Sequence, residues 1–138
     1  MKILLLGANG QVGTELQRTL LVLGELKSCT RAQANLKDLQ GLRSLIQDYQ
    51  PNVIVNAAAY TAVDRAESDK NQAELINTTA VGVMAQEAKN LDAWLVHYST
   101  DYVFDGEKLE AYIESDTTNP VNVYGSTKCK GEELITSS

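Results

Sequence analysis

The sequence predicts an α/β fold in which a doubly wound parallel sheet is flanked by helices. Short apolar runs alternate along the chain with stretches whose apolar residues recur at helical spacing, as in parallel sheets with crossover helices. A glycine-rich turn, Gly7-x-x-Gly10-x-x-Gly13, joins the first apolar run to the first helical stretch. Because the 138 residues are 43% hydrophobic and 22% charged, we expect a single globular domain over residues 1–138.

The strands are predicted from short apolar runs bounded by turn residues. Trp94, at the start of the last run, is expected to belong to the core. A weaker signal for a short strand falls on Ala34 to Leu36. The clear runs are Lys2 to Leu6, Leu26 to Thr30, Val53 to Val55 and Trp94 to Ser99.

The helices are predicted from apolar residues three and four positions apart, which share one helix face. Pro51 ends the second helix, and Asn122 is a candidate N-cap for the last one, after a polar, turn-rich stretch from Asp105 to Pro120. The apolar stripes are Val12, Leu16, Leu20 and Leu23; Leu39, Leu42, Ile46 and Tyr49; and Ile76, Ala80, Val83 and Met84.

Composition excludes several classes of function. The net charge of −6 disfavours a non-specific nucleic-acid binder, which needs a basic surface. No apolar stretch is long enough to span a membrane. Cys29 and Cys129 lie too far apart in sequence to suggest a metal knuckle or a disulfide framework. We therefore expect a cytoplasmic protein without nucleic-acid or membrane partners.

The glycine motif predicts a dinucleotide site and hence a Rossmann-like sheet. Gly7 permits a tight turn, Gly10 lets the backbone approach a pyrophosphate, and Gly13 lets the helix pack closely on the sheet. The phosphates then meet free N–H groups at the helix N-terminus. The alternative is a glycine-rich turn that only joins a strand to a helix, but its position directly after a strand favours the dinucleotide site.

Cofactor preference is set at the end of the second strand, where an acidic residue binds the ribose hydroxyls of NAD and an arginine accommodates the extra phosphate of NADP. Thr30 and Arg31 occupy this place. The pair favours NADPH, with NADH as the alternative if Arg31 is only a solvated loop residue. Asn35 is a candidate for the adenine edge, because its amide carries both a donor and an acceptor.

Tyr124 and Lys128 are four residues apart, so on a helix they share one face. Thr100 follows the last predicted strand, at the edge of a parallel sheet where ligands bind. The Thr100 hydroxyl and the Tyr124 phenol are thus expected to bind one carbonyl oxygen. Tyr124 would give it a proton, and the Lys128 cation would favour the phenolate form. The alternative is that Thr100 only caps a turn and Tyr124 is a packing residue.

The whole chain resembles the N-terminal part of dTDP-4-dehydrorhamnose reductases, a branch of the extended short-chain dehydrogenase/reductase family. The resemblance rests on KILLLGANGQVG (2–13), PNVIVNAAAYTAVDRAE (51–67), HYSTDYVF (97–104) and NPVNVYGSTK (119–128). It implies NAD(P)H-dependent reduction of the C4 ketone of dTDP-4-dehydro-L-rhamnose to dTDP-L-rhamnose. Members of the family are about twice as long, so we expect a sheet truncated after the catalytic helix, no C-terminal substrate domain, and a self-associating fragment that is inactive alone.

The resemblance also implies individual roles. Thr100, Tyr124 and Lys128 would be catalytic, and Thr100 and Asp101 would bind the nucleotide sugar. Thr30 and Asn35 depart from the acidic residues common in the family, which leaves the choice between NADPH and NADH open. The implied cofactor-binding residues are Gly7, Gly10, Gln11, Val12, Gly13, Thr30, Arg31, Asn35, Leu36, Ala59, Tyr60, Thr61, Tyr98, Tyr124 and Lys128.

Other residues have simpler interpretations. Glu15, Asp64 and Glu67 could offer carboxylates to magnesium, but single carboxylates on helices are usually solvated, and no metal site is predicted. His97, the only histidine, is expected to be a hydrogen-bonded core residue rather than a catalyst. Two other functions stay open: a non-catalytic nucleotide-binding or regulatory module, and a nucleotide-sugar epimerase.

Overall fold

The computed structural model describes all 138 residues and contains one sheet of four parallel strands. The strand order is β2-β1-β3-β4, so the chain reverses its direction of winding between β1 and β3. In open α/β sheets the ligand crevice lies at such a reversal, at the carboxyl edge of the strands. The strands are β1 (Lys2–Leu6), β2 (Glu25–Cys29), β3 (Val53–Asn56) and β4 (Trp94–His97).

The helices lie on both faces of the sheet, as a doubly wound fold requires. A π-helical turn (Leu75–Thr79) joins two of them without a break, and a 3₁₀ turn (Asp101–Val103) follows β4. The α-helices are α1 (Gln11–Leu20), α2 (Leu39–Tyr49), α3 (Val63–Ala66), α4 (Lys70–Glu74), α5 (Ala80–Asn90) and α6 (Val123–Thr136).

Two apolar clusters bind the helices to the sheet. Along β1, alternate residues face opposite sides, and Ile3 to Leu6 are all fully buried because both faces are covered. Ile3 and Leu5 belong to the cluster beneath α1, whereas Leu4 and Leu6 belong to a larger one shared with α2 and α5. Helix α6 packs beside α5 and the π-helical turn.

The structure corrects several sequence-based expectations about the elements. Residues Ala34 to Leu36 form turns rather than a strand, because the N–H groups of Gln33 and Ala34 both donate to the Thr30 carbonyl and reverse the chain directly after β2. The last strand ends at His97 rather than Ser99, and the second covers Glu25–Cys29. In the first predicted stripe, Val12 is exposed, and Leu23 is exposed beyond the end of α1.

Trp94 was expected in the core, and this was wrong. It is 78% exposed, and Val96, two residues on, is 43% exposed. Both lie in register with Val53 and Val55 of β3 on the α1 face of the sheet. Because β4 is an edge strand and α1 covers only the other side of this face, the two side chains have no helix above them.

None of the helices combines the length and apolar character needed to cross a bilayer. Cys29 and Cys129 are both buried and both unpaired.

Candidate active site

The glycine turn forms a cradle of free N–H groups at the start of α1. Gly10 is the N-cap residue and has extended backbone, but it has no side chain with which to cap the helix. Hydrogen bonding within the helix starts at Thr14, whose N–H donates to the Gly10 carbonyl at 2.9 Å. The N–H groups of residues 11–13 are thus left without an acceptor, and the helix dipole adds a positive field at the same point. This end of α1 is suited to bind an anion.

Two of the three motif glycines are required by the fold itself. Gly7 has φ +79°, and a Cβ there would lie 2.8 Å from the Ala57 carbonyl carbon and the Ala58 nitrogen. A Cβ on Gly13 would lie 2.1 Å from the Gly7 carbonyl oxygen. Gly10 differs, since its Cβ would meet only that same oxygen, at 3.4 Å. Nothing in the protein requires glycine at position 10, which is consistent with a role toward a ligand.

The cradle opens into a cavity of about 910 Å³ at the carboxyl edge of β1, β2 and β3. Ligand pockets commonly have volumes of roughly 300 to 1,000 Å³. Ten of the predicted cofactor-binding residues line this cavity: Gly7, Gly10, Gln11, Val12, Arg31, Asn35, Leu36, Ala59, Tyr60 and Thr61.

Sequence reasoning missed part of the cavity wall. Asn9, Ala34, Ala57, Ala58, Ala62, Arg65, Asp69, Gln72 and Ile76 also line it. Arg65 is notable because, like Arg31, it is exposed and has no carboxylate within 4.0 Å. The cavity therefore has two guanidinium groups without an ion-pair partner.

Asn77, also missed, links the cavity wall to the last helix. It lies in the π-helical turn and is buried. Its side chain accepts from the Tyr60 N–H at 2.8 Å and donates to the Tyr60 carbonyl at 3.1 Å and to the Thr127 hydroxyl at 3.2 Å. The Tyr60 phenol in turn donates to Asp69 at 3.2 Å. Asn77 makes these contacts from a π-turn, which no sequence periodicity signals.

The Thr100 loop and the start of α6 lie against each other. The Thr100 hydroxyl oxygen accepts from the Tyr102 N–H at 3.3 Å and caps the 3₁₀ turn, and its O–H donates to Asp101 at 3.2 Å. The Tyr102 ring packs edge-on against the Tyr124 ring, with centroids 5.6 Å apart. At Gly125 a Cβ would be 2.1 Å from the Tyr102 carbonyl oxygen. The turn and the helix are therefore in backbone contact beside Tyr124.

Asn122 caps α6 as predicted, accepting from the Gly125 N–H at 2.7 Å. Helix α6 thereby begins one residue before Tyr124, and Lys128 lies one turn further on.

Lys128 is 3% exposed and reaches the end of β4. Its Nζ donates to the Tyr98 carbonyl and lies 3.1 Å from His97 Nε2. Burial lowers the pKa of Lys128 to about 8, although the charge of Glu132 opposes the shift. Burial, and secondly the charge of Lys128, lower the pKa of His97 to about 4. His97 is thus hydrogen-bonded, as the sequence suggested, but it is only partly buried rather than a core residue, and one of its partners is Lys128 of the predicted proton-transfer pair.

The remaining predicted residues are placed around this region rather than on the cavity wall. Gly13 lies behind the cradle, where it allows α1 to pack closely. The N–H and the hydroxyl of Thr30 both donate to the side-chain oxygen of Gln33. The other predicted residues lie together just after the end of β4 and in the first turns of α6: Tyr98, Thr100, Asp101, Tyr124 and Lys128.

The three carboxylates considered for magnesium do not converge. Glu15 pairs with Arg18 on the surface of α1, and Glu67 accepts from the Val123 N–H. No group of three His, Cys, Asp or Glu side chains in the structure could hold a metal ion.

The parallel sheet, the uncapped α1 terminus and the cavity at the switch point define a Rossmann-like domain. Residues 1–138 match the model of a protein family described as the RmlD substrate binding domain. The chain belongs to this family.

Similar proteins agree with the assignment. The chain is 54% identical over 135 residues to a dTDP-4-dehydrorhamnose reductase of Burkholderia thailandensis, covering 98% of this chain and 45% of that protein. A dTDP-4-dehydrorhamnose reductase structure from Clostridium acetobutylicum superposes with a TM-score of 0.95 at 38% identity, over 99% of this chain and 49% of that one. One from Bacillus anthracis, in complex with NADP, gives 0.93 at 32% identity, with coverage of 99% and 49%. The chain thus spans about half the length of the relatives it matches.

Proposed function

We propose that this chain forms the cofactor-binding and proton-donating half of a dTDP-4-dehydrorhamnose reductase, with NADPH as its cofactor. The observation that carries the proposal is the meeting of three features at one edge of the sheet: the N–H cradle of α1, the cavity beside it, and the helix that bears Tyr124 and Lys128. The substrate is proposed from the relatives, which are dTDP-4-dehydrorhamnose reductases and so act on a dTDP-linked 4-keto sugar.

The residues fit a dinucleotide. The free N–H groups after Gly10 suit a pyrophosphate, and the cavity has room for a nucleoside. Arg31 lies on the turn directly after β2 and is free of carboxylates, which supports the extra phosphate of NADPH over NADH. Arg65 adds a second unpaired cation to the same cavity.

In the proposed reaction the nicotinamide supplies a hydride to the ketone carbon. Tyr124 gives its phenolic proton to the oxygen as negative charge develops there, a general-acid step. Lys128, held by the Tyr98 carbonyl, provides a cation one helical turn away. The Thr100 hydroxyl donates a hydrogen bond to the same oxygen once it leaves Asp101. Asp101, next to it and exposed, is proposed to contact the sugar.

Because the matched relatives extend for as many residues again, we propose that the sugar site is completed by sequence corresponding to their C-terminal half. The isolated 138 residues are then expected to show negligible turnover, since positioning of reactants supplies roughly 7 to 11 kcal/mol of a reaction barrier.

We further propose that the isolated chain self-associates through the edge of β4, where Trp94 and Val96 are exposed. A cytoplasmic location is proposed because both buried cysteines are unpaired.

The proposed role of Tyr124 can be tested in a chimera in which this chain replaces the matching half of the Burkholderia thailandensis reductase. Tyr124→Phe should lower kcat by roughly 100- to 10,000-fold, because the proton is needed only in the transition state, and should leave NADPH affinity unchanged. Tyr102→Phe, on the neighbouring ring, is the matched control and should stay within about twofold of the parent. Near-normal turnover of Tyr124→Phe would exclude it as the acid.

A further inference from the structure

A line of polar side chains runs from the cavity wall to Lys128 through two neighbouring strands. Asn56 of β3 and His97 of β4 are register partners. The Asn56 amide nitrogen lies 3.0 Å from His97 Nδ1, and His97 Nε2 lies 3.1 Å from Lys128 Nζ. Asn56 is buried, and none of the three groups is used by the glycine cradle.

The backbone fixes the orientation of the Asn56 amide. The Ala58 N–H donates to Asn56 Oδ1 at 3.1 Å, so the NH₂ group of Asn56 must face His97. An NH₂ group has only donors, so His97 Nδ1 has to accept. A flipped amide would place the Ala58 N–H opposite another donor and leave it without a partner.

The tautomer of His97 follows from this orientation. A neutral imidazole has one donor and one acceptor nitrogen, so the proton of His97 resides on Nε2 and points at Lys128. A lysine ammonium has three donors and no acceptor. The contact between His97 Nε2 and Lys128 Nζ is therefore a hydrogen bond only when Lys128 is a neutral amine that accepts from the ring.

The acidic groups near Lys128 do little to oppose its neutral form. Glu132, on the same helix, is the one acidic group that acts on Lys128, and it also accepts from the Ser99 hydroxyl. Acidic groups on the surrounding elements are engaged elsewhere: Glu67 with the Val123 N–H, Asp69 with Tyr60 and Gln72, Glu74 with Lys130, Glu87 with Arg43 and Gln47, and Asp101 with Thr100.

We propose that His97 is a positioning residue for Lys128: locked by Asn56 with its proton on Nε2, it holds the lysine at the end of β4 and favours its neutral form in the ligand-free chain. Lys128 then takes up a proton from solvent when ligand oxygens replace His97 as its partner. Burial acts in the same direction, since it lowers the pKa of His97 to about 4 and that of Lys128 to about 8, so the neutral amine predominates above about pH 8. The inference rests on the proposed function only for the identity of that ligand.

The isosteric change Asn56→Asp reverses the arrangement. A carboxylate at position 56 accepts from both the Ala58 N–H and His97 Nδ1–H, so the ring proton moves to Nδ1. His97 Nε2 then accepts from the Lys128 ammonium. The new charge and the new acceptor both favour charged Lys128 and charged His97, and the pKa of each should rise by roughly one unit or more.

The test is nitrogen NMR on the ligand-free 138-residue chain labelled in histidine and lysine. His97 is the only histidine, so its two ring signals need no assignment, and Lys128 is identified from the loss of its signal in Lys128→Arg. We expect a neutral ring protonated on Nε2 in the parent at pH 9, where Lys128 is the neutral amine that accepts from it. In Asn56→Asp we expect protonation on Nδ1 and a higher pKa for Lys128.

Asn52→Asp, which adds the same charge at an exposed position bound to the Lys2 N–H, is the matched control and should leave the tautomer unchanged. Protonation of His97 on Nδ1 in the parent at pH 9 would overturn the proposal, whether or not Asn56→Asp folds. So would an unchanged tautomer in a folded Asn56→Asp. Titration of NADPH on the same samples separates this inference from the proposed function, because the tautomer is measured without ligand.

Discussion

Replacing Gly13 with alanine tests how closely α1 must approach the glycine turn. A Cβ at this position would lie 2.1 Å from the Gly7 carbonyl oxygen, 2.8 Å from its carbon and 2.9 Å from Ala8 Cα. All three are backbone atoms, so no side chain can rotate away. Helix α1 has to move outward by about 1 Å before the contacts become tolerable.

The expected magnitude follows from what that movement disrupts. A gap of roughly 0.5 to 1 Å forfeits a quarter to a half of the dispersion energy at each affected contact. Leu16 and Leu20 of α1 pack against the cluster that holds Ile3 and Leu5 of β1, and these contacts loosen together. We expect Gly13→Ala to lower the free energy of unfolding by about 1 to 3 kcal/mol, the usual cost of overpacking. It should also weaken NADPH binding, because the N–H cradle moves with the helix.

The assay is urea unfolding followed by circular dichroism, with NADPH titrations on the same samples. Gly10→Ala is the matched control: its Cβ meets no atom closer than 3.4 Å, so stability should fall by less than about 1 kcal/mol. The methyl group of Gly10→Ala would lie where the pyrophosphate approaches the N–H groups, so this variant should lose NADPH binding although it remains stable. A Gly13→Ala variant as stable as the parent would show that α1 does not pack as described.

Two further predictions concern stability and association. Glu87 is 1% exposed and joins α5 to Arg43 and Gln47 of α2. Glu87→Gln should therefore lower the free energy of unfolding, measured in urea, by about 2 kcal/mol. This is less than the roughly 3 to 5 kcal/mol expected for a fully buried ion pair, because the Arg43 side chain is 35% exposed. Glu74→Gln, the matched control, removes the exposed ion pair with Lys130 and should lower the free energy of unfolding by less than about 1 kcal/mol. Equal losses of stability in the two variants would show that burial does not determine the contribution of the Glu87 pair. Trp94→Lys should shift the chain toward monomer in light scattering, since a charge would occupy the unpaired edge of β4; an unchanged mass would remove that edge as the contact.

The parts of the fold that depend on local sequence could be predicted. The β1 run, the glycine turn and the Asn122 cap each follow from neighbouring residues, because strand formation by an apolar run, positive φ at glycine and helix capping are short-range effects. The predicted strand at Ala34 to Leu36 does not form, also because of a short-range effect. The turn closed by the Thr30 carbonyl outweighs the weak strand signal of these three residues.

The parts that depend on strand order and register could not be predicted. Trp94 is exposed because β4 lies at the edge of the sheet, which no property of its own run reveals. The contact between His97 and Lys128 joins residues 31 positions apart, and Asn77, which lies in a π-turn, contacts Tyr60 17 positions away. Arg65 lies on α3 and enters the cavity wall through the packing of that helix. Sequence therefore predicted the glycine turn at the start of α1 better than the surroundings of Lys128.

Calorimetric titration of the folded 138-residue chain with NADPH and NADH tests whether this edge of the sheet is a cofactor site. We expect one saturable site that binds NADPH more tightly than NADH, because the cradle, the cavity and Arg31 lie within this chain. Arg31→Ala should weaken NADPH binding by roughly 1.5 to 3 kcal/mol and leave NADH binding unchanged. A folded chain that binds neither dinucleotide would contradict the assignment of this edge of the sheet as a cofactor site.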